Sequence, residues 1–232
     1  MRWLPMACAA ASILMLAACD AVTTTAAKYN PFLSFEARCA RLPPSRIDIR
    51  QQPVVVTVND ELPHRDLTRL GGDHPDARLT LGLAKTEFRQ QVAIELNGLT
   101  DTGSKRSCAR PDITVELSMT PMTVYLASEL RDNACGRAAV QEHEMKHVAA
   151  FREHLADAAR RLSDDLPRLF GQSVIVAPDP QAGEEQVQRA LQQFLSDFKA
   201  ASARELQQLQ ERVDSPDEYA RVNGACGGLR AE

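Results

Sequence analysis

The chain has 232 residues, a formal net charge of −4 and a hydrophobic fraction of 44%. This length is enough to bury a core, and it suits one domain or one domain with an appended helical part. The acidic balance offers none of the basic stripes that nucleic-acid-binding proteins use, so nucleic acid is not an expected partner.

The first residues have the pattern of an export signal. A basic Arg2 precedes an apolar run and then small residues, which predicts a signal peptide over residues 1–18. The end of the run, LAAC at Leu16–Cys19, resembles the bacterial lipobox, which implies cleavage before Cys19 and lipid attachment to it. An ordinary secreted protein with a chance cysteine is the alternative. Asp20 resembles the inner-membrane retention signal of Gram-negative lipoproteins, so we expect a lipid-anchored protein on the periplasmic side of the cell envelope.

Residues 19–36 are small and polar and predict a tether, and residues 37–232 predict a single domain. Its first part, residues 37–128, contains β-branched and alternating segments that are typical of strands. We expect strands at Pro53–Asn59, within Leu79–Leu99, at Asp112–Met119 and at Thr123–Ala127. These strands predict a small, mostly antiparallel sheet.

The sequence period changes in the second part, residues 134–232. The stretch after Gly136 lacks proline and glycine and is rich in helix-forming residues, which predicts one long helix from Arg137 to Ser163 that ends before Pro167. Apolar residues at steps of three and four predict a second helix from Gly183 to Val213. Two long helices joined by a loop are expected to pack antiparallel, and the fold class is α+β.

Three of the five histidines lie in the stretch EHEMKHVAAFREHL. His143, Glu144 and His147 fit the pattern H-E-x-x-H inside the first long helix. Residues four apart lie on one helix face, about 6 Å apart along the axis, so two imidazoles can converge on one zinc ion. Glu144, beside the metal, can then take a proton from water as the general base. The alternative is a solvated helix face that carries two histidines by accident.

With this motif the chain resembles the zincin metallopeptidases, and more closely a bacterial group of exported zinc-dependent proteases. The matching segments are CARPDITVELSMTPMTVYLASE, CGRAAVQEHEMKHV and VDSPDEYARVNGAC. The resemblance implies a zincin-like fold with an edge strand, here MTVYLA, that lies antiparallel to bound peptide. Lys146 departs from the zincin pattern, where the two x positions are usually uncharged, but a lysine can extend its ammonium to water.

A zinc site needs a third protein ligand, and the sequence leaves two candidates open. Glu205 lies in the apolar stripe of the second helix, and an antiparallel helix pair brings it roughly level with His143. Glu218 lies in the family-like segment, although Ser215 to Glu218 also reads as a capping box that opens a short helix. His154 lies about 10 Å further along the metal helix than His147, so we expect it and Glu153 at the surface or around the ligands.

Several other polar residues have weaker claims to the site. Tyr125, Tyr219 and Arg221 are candidates to stabilise a developing oxyanion, although each alone suits a structural role. His64 and His74 lie in turn-rich segments near acidic residues, where solvated turns are expected.

Four cysteines remain in an exported chain after Cys8 is removed and Cys19 is lipidated, which predicts two disulfides. Three pairings are possible, and we favour Cys108–Cys135 with Cys39–Cys226. The first would close the segment that leads into the histidine helix, and the second would tie the two ends of the domain together. A four-cysteine zinc site is the alternative.

The sequence therefore predicts a membrane-anchored zinc metallopeptidase that hydrolyses peptide or amide bonds with zinc-activated water, acting on a peptide or protein substrate. A non-catalytic envelope lipoprotein that keeps the fold as a binding module is the main alternative. A metal-free helical hairpin and an amidase acting on peptidoglycan cross-links are two others.

Overall fold

The computed structural model describes residues 32–72 and 80–228. The predicted signal peptide, Cys19, Asp20 and His74 lie outside the described residues, as does most of the predicted tether. The described residues contain five helices: α1 Phe35–Ala40, α2 His64–Gly71, α3 Ala134–Leu166, α4 Pro180–Val213 and α5 Pro216–Gly224. They also contain seven strands: β1 Ile47–Gln51, β2 Val56–Asn59, β3 Gly82–Lys85, β4 Phe88–Thr100, β5 Ser107–Met119, β6 Met122–Leu126 and β7 Ile175–Ala177. The fold is α+β, as predicted.

The strands form two sheets rather than the single small sheet that we expected. One has the order β1–β5–β4, and β7 also pairs antiparallel with β5. The other has the order β2–β6–β3, in which β6 pairs parallel with β2 and antiparallel with β3. The prediction that MTVYLA forms an edge strand is wrong, because β6 is the middle strand and β3 ends its sheet among the described residues. Pattern alone shows that a segment is extended, but not which neighbours it finds.

The described chain divides into two compact units, each built from separate stretches. The first unit contains residues 32–47, 93–113 and 165–193, and the second contains residues 48–72, 80–92, 114–164 and 194–228. The start of α1 overlaps the last two residues of the predicted tether, and Phe35 is buried.

In the first unit a small core surrounds a disulfide. Phe35, Cys39, Leu99 and Cys108 are buried together. A cavity of about 640 Å³ lies beside them, with Arg38, Leu96 and Ile175 among its lining residues.

In the second unit α3 and α4 run antiparallel. His147 contacts Gln210, His154 contacts Ser202, and the Arg161 guanidinium lies over the Phe198 ring, so partners move backward along α4 as α3 proceeds. The helices are three residues longer than predicted at both ends of α3 and at the start of α4. Pro180 opens α4 because proline suits the first helical turn, where its missing N–H costs nothing.

The short helix α5 follows α4 almost directly. The Ser215 side chain accepts a hydrogen bond from the Glu218 N–H, and Pro216 occupies the first turn. The predicted cap at Ser215 is therefore confirmed, and it fixes where Glu218 and Tyr219 begin their helix.

The four expected cysteines do form two disulfides, but the favoured pairing is wrong. Cys39 pairs with Cys108, and Cys135 pairs with Cys226. Each bond joins residues whose Cα atoms lie 5.9 Å apart, at sequence separations of 69 and 91. Spacing along the chain cannot reveal such proximity, because bonding depends on which cysteines the folded elements bring together. None of the described helices is long and apolar enough to span a membrane.

Candidate metal centre

His143 and His147 lie on one face of α3, one helical turn apart. Both are buried, with 7% and 9% of their surface exposed. Their Nε2 atoms are 3.3 Å apart and their rings meet edge to face. The predicted convergence of the two imidazoles is therefore present in the structure.

The carboxylate that joins them is Asp214, which the sequence analysis did not single out. It directly follows the last residue of α4. Its Oδ1 lies 3.3 Å from Nε2 of His143 and 3.1 Å from Nε2 of His147. Among the described residues, His143, His147 and Asp214 form a group that could hold a metal ion.

The spacing of these three atoms matches a metal-ligand set. Bonds of about 2.0–2.1 Å in a tetrahedral site place neighbouring ligand atoms about 3.3 Å apart. The three separations are 3.1–3.3 Å. The donors therefore lie near the positions that they would occupy around one ion, with a fourth position left for another ligand.

The outer nitrogens of both rings have oxygen partners. Nδ1 of His147 lies 2.5 Å from Oε1 of Gln210, and Nδ1 of His143 lies 3.3 Å from Oε1 of Glu218. Since these oxygens only accept, each Nδ1 carries the proton that it donates. This leaves the Nε2 atoms of neutral rings as lone-pair acceptors aimed toward the third acceptor, Asp214.

Three acceptors this close repel one another unless a cation lies between them. In the metal-free protein protons take that role. The hydrogen bond with Asp214 raises the pKa of His143, and it raises the pKa of His147 although burial opposes this shift. Burial alone would raise the pKa of Asp214, but its hydrogen bonds with the two histidines hold that pKa well below its usual range. The residues present thus fit a divalent cation.

Glu144 lies beside this group and is almost fully buried, with 4% of its surface exposed. The Ala84 N–H of β3 donates to its carboxylate, while burial raises its pKa overall. Gly82 of the same strand leaves room for it, since a Cβ at this position would overlap Oε1 of Glu144 and a methyl group of Val140. The strand thus contacts the carboxylate through bare backbone.

Glu218 belongs to an ion-pair cluster around His143. Its two oxygens each lie 2.8 Å from Nζ of Lys146, and Arg221 also binds it. These cations hold the pKa of Glu218 well below its usual range. The Lys146 side chain is 41% exposed, so its ammonium reaches water as predicted. Glu218 therefore contacts the outer nitrogen of a histidine and is absent from the converging group.

Of the proposed oxyanion-stabilising residues, Tyr219 lies nearest the histidines. Its ring centre is 5.8 Å from that of His143, and it hydrogen-bonds Asp214. Burial and the Asp214 carboxylate raise the pKa of Tyr219 to about 12, so the phenol stays protonated and donates. Arg221 is held by Glu218 and Glu142, and Tyr125 lies within the central strand β6.

The favoured third ligand, Glu205, is not at the centre. It pairs with Arg161, further along the helix pair. Counting along the helices failed because it assumed that their ends are level, whereas the connection includes strand β7. With the observed register, Asp214 rather than Glu205 lies beside His143.

The remaining polar predictions have mixed outcomes. His154 is 2% exposed, and its Nε2 lies 2.8 Å from Oγ of Ser202, so a surface position is wrong for it. Glu153 is exposed. His64 pairs with Glu129 at the start of α2.

No family model, curated protein or solved structure matches this chain.

Proposed function

We propose that the protein is a zinc-dependent metallopeptidase, with His143, His147 and Asp214 as the metal ligands. The single observation that supports this most strongly is the set of three acceptor atoms 3.1–3.3 Å apart. Two imidazoles and one carboxylate, with an open fourth position, are a donor set typical of catalytic zinc. A structural zinc site would instead use four protein ligands.

A bound zinc ion would supply a Lewis acid that polarises an amide carbonyl and makes water easier to deprotonate. Glu144 is the general base in this proposal. Its buried position raises its pKa, so its affinity for a proton is greater than that of an exposed glutamate. The Ala84 N–H keeps the carboxylate in place while it accepts the proton from water and passes it to the leaving amine.

The substrate in this proposal is an extended peptide that lies near β3. This strand ends its sheet among the described residues, and its backbone contacts Glu144. Extended peptides bind well at such edges because main-chain groups there can form hydrogen bonds. Tyr219 is half-exposed and protonated, so it can donate to the oxygen that gains charge. The export signal at residues 1–18 and lipidation at Cys19 would place the enzyme at the periplasmic face of a membrane.

The first test is metal content. The chain from Asp20 onward would be purified, loaded with zinc, desalted and measured by plasma mass spectrometry beside His143→Ala/His147→Ala. We expect about one zinc per chain in the parent and background zinc in the variant. Background zinc in the reconstituted parent would contradict the proposal.

Catalysis is tested separately with Glu144→Gln, which removes the base but keeps the volume of the side chain. We expect zinc content to be retained and peptide cleavage, followed by mass spectrometry of a peptide library, to fall about 10²- to 10⁴-fold. Glu153→Gln, on the exposed face of the same helix, is the matched control and should cleave like the parent. Zinc binding without cleavage in the parent would favour the binding-module alternative.

A further inference from the structure

The two disulfides differ in how accessible they are. Cys39 and Cys108 are buried, with 3% and 1% of their surface exposed. Cys135 and Cys226 are both exposed. A dissolved thiol must reach a sulfur atom before it can exchange with a disulfide. The two bonds should therefore respond to reductant at different rates.

The exposed disulfide joins the metal helix to the segment that completes the centre. Cys135 is the second residue of α3, the helix that carries both histidines. Cys226 lies in a single turn, Ala225–Gly227, directly after α5. Asp214 precedes α5 and Glu218 lies within it, so the bond holds both carboxylates close to the helix that carries the histidines.

The other contacts that hold α5 are modest. The ion pairs of Glu218 with Lys146 and of Arg221 with Glu142 are at least partly exposed, and Val222 is its one buried apolar side chain. Partly exposed ion pairs contribute little to stability, and a helix of nine residues is not stable by itself. The covalent bond is thus a main constraint on this segment.

We propose that reversible reduction of the Cys135–Cys226 disulfide controls metal affinity at the His143–His147–Asp214 centre. This inference depends on the proposed metal centre. With the bond closed, α5 keeps Asp214 and Glu218 in place. With the bond open, α5 separates from α3 and the metal retains only its two histidine ligands in fixed positions.

The reductant is a dithiol, and the exchange is balanced. One thiolate of the dithiol attacks the Cys226 sulfur and forms a mixed disulfide, while Cys135 leaves with the electron pair and takes up a proton. The second thiol then attacks the mixed disulfide and releases the Cys226 thiol. Overall the protein gains two electrons and two protons, and the dithiol becomes a disulfide.

Two local features favour this direction of attack. Cys135 lies in the first turn of α3, where the helix N-terminus stabilises a thiolate and so makes Cys135 a good leaving group. Cys226 has φ of 61°, a left-handed conformation that is strained for a residue other than glycine. Opening the bond releases the constraint that helps to hold it.

The experiment uses dithiothreitol on the zinc-free folded chain, followed by iodoacetamide and desalting. Peptide mass mapping should show label on Cys135 and Cys226 before any label on Cys39 and Cys108. Competition with a chromophoric chelator should then show zinc affinity lowered about 10- to 100-fold, the range typical when groups that orient ligands are lost. Circular dichroism should show that the long helices persist.

Cys135→Ser/Cys226→Ser is the matched variant, since it lacks the bond without any added reagent. Its zinc affinity should already be lowered, and dithiothreitol treatment should not lower it further. Unchanged zinc affinity in the labelled parent, earlier labelling of Cys39 and Cys108, or general loss of helix would each overturn the inference. Failure of the oxidised parent to bind zinc would instead overturn the proposed function.

Discussion

Two histidines seven residues apart on α3 have opposite surroundings. At His147 the outer nitrogen donates to Gln210, and the inner nitrogen faces another histidine and a carboxylate. At His154 the Nε2 atom meets the Ser202 hydroxyl, which can donate or accept. The first arrangement gathers acceptors and needs a cation, whereas the second pairs its polar atoms within the protein. Burial alone does not separate a ligand from a structural histidine, but the balance of donors and acceptors does.

Replacing Asp214 should have the largest effect on this difference. Asp214→Ala removes one of three donors, so we expect zinc affinity to fall more than about 100-fold, beyond the loss typical of an orienting partner. Chelator competition measures it. Glu205→Gln, which changes the carboxylate that the sequence favoured, should leave zinc affinity unchanged because Glu205 pairs with Arg161. An equal loss in both variants would contradict the assignment.

The orienting role of Gln210 should give a smaller effect. Gln210→Ala removes the acceptor for Nδ1 of His147, so the ring loses its fixed orientation and zinc affinity should fall about 10- to 100-fold. Gln207→Ala is the control, because Gln207 is exposed on the same helix and pairs only with Glu211 among the described contacts. Isothermal titration of both proteins would show whether the loss is specific.

At the other histidine we expect a change in stability and none in metal content. His154→Leu leaves the buried Ser202 hydroxyl without its partner, which should cost about 1–3 kcal/mol in the free energy of unfolding by urea. The double variant His154→Leu/Ser202→Ala should recover part of this loss, since neither polar group then remains. Loss of zinc from His154→Leu would show that the two histidines are not functionally separate.

The smallest expected effect is a difference in pH dependence in the metal-free protein. Burial lowers the pKa of His154, so below pH 6.5 the unfolded chain binds a proton that the folded chain does not. Stability from this residue is present above pH 6.5 and falls by at most about 1.4 kcal/mol per pH unit on acidification. The raised pKa values of His143 and His147 act in the opposite direction: their contribution is present below pH 6.5 and lost as the pH rises.

Urea unfolding between pH 5 and 8 can separate these contributions. His154→Leu should remove the part that weakens on acidification, and His143→Ala/His147→Ala should remove the part that strengthens. Identical pH profiles in the parent and in His154→Leu would contradict the assigned direction for His154.

The parts of this molecule that follow from local chemistry were predictable from its sequence. The composition after Gly136 requires a helix, and the spacing of His143 and His147 places them on one face wherever that helix lies. Ser215 and Pro216 likewise announce α5. None of these inferences depends on a distant residue, because each rests on backbone geometry within a few turns.

The predictions that failed concern residues far apart in the chain. Asp214 joins the histidines only because of the register between α3 and α4, and strand β7 lies in the connection that sets this register. The disulfide partners and the position of β6 in its sheet depend on long-range pairing in the same way. A possible signal for Asp214 was available, since it is an acidic residue between the end of α4 and the cap at Ser215, inside the family-like segment.

The order of these residues along the chain has a consequence for assembly. Asp214 follows His143 by 71 residues, and Cys226 comes later still. A chain that emerges from its N-terminus presents both histidines well before the carboxylate that accompanies them. A chain cut between α3 and α4 likewise keeps the H-E-x-x-H motif intact but loses the third donor. Possession of the motif and readiness to hold a metal are thus separated in time, and only a chain extended past α5 unites them.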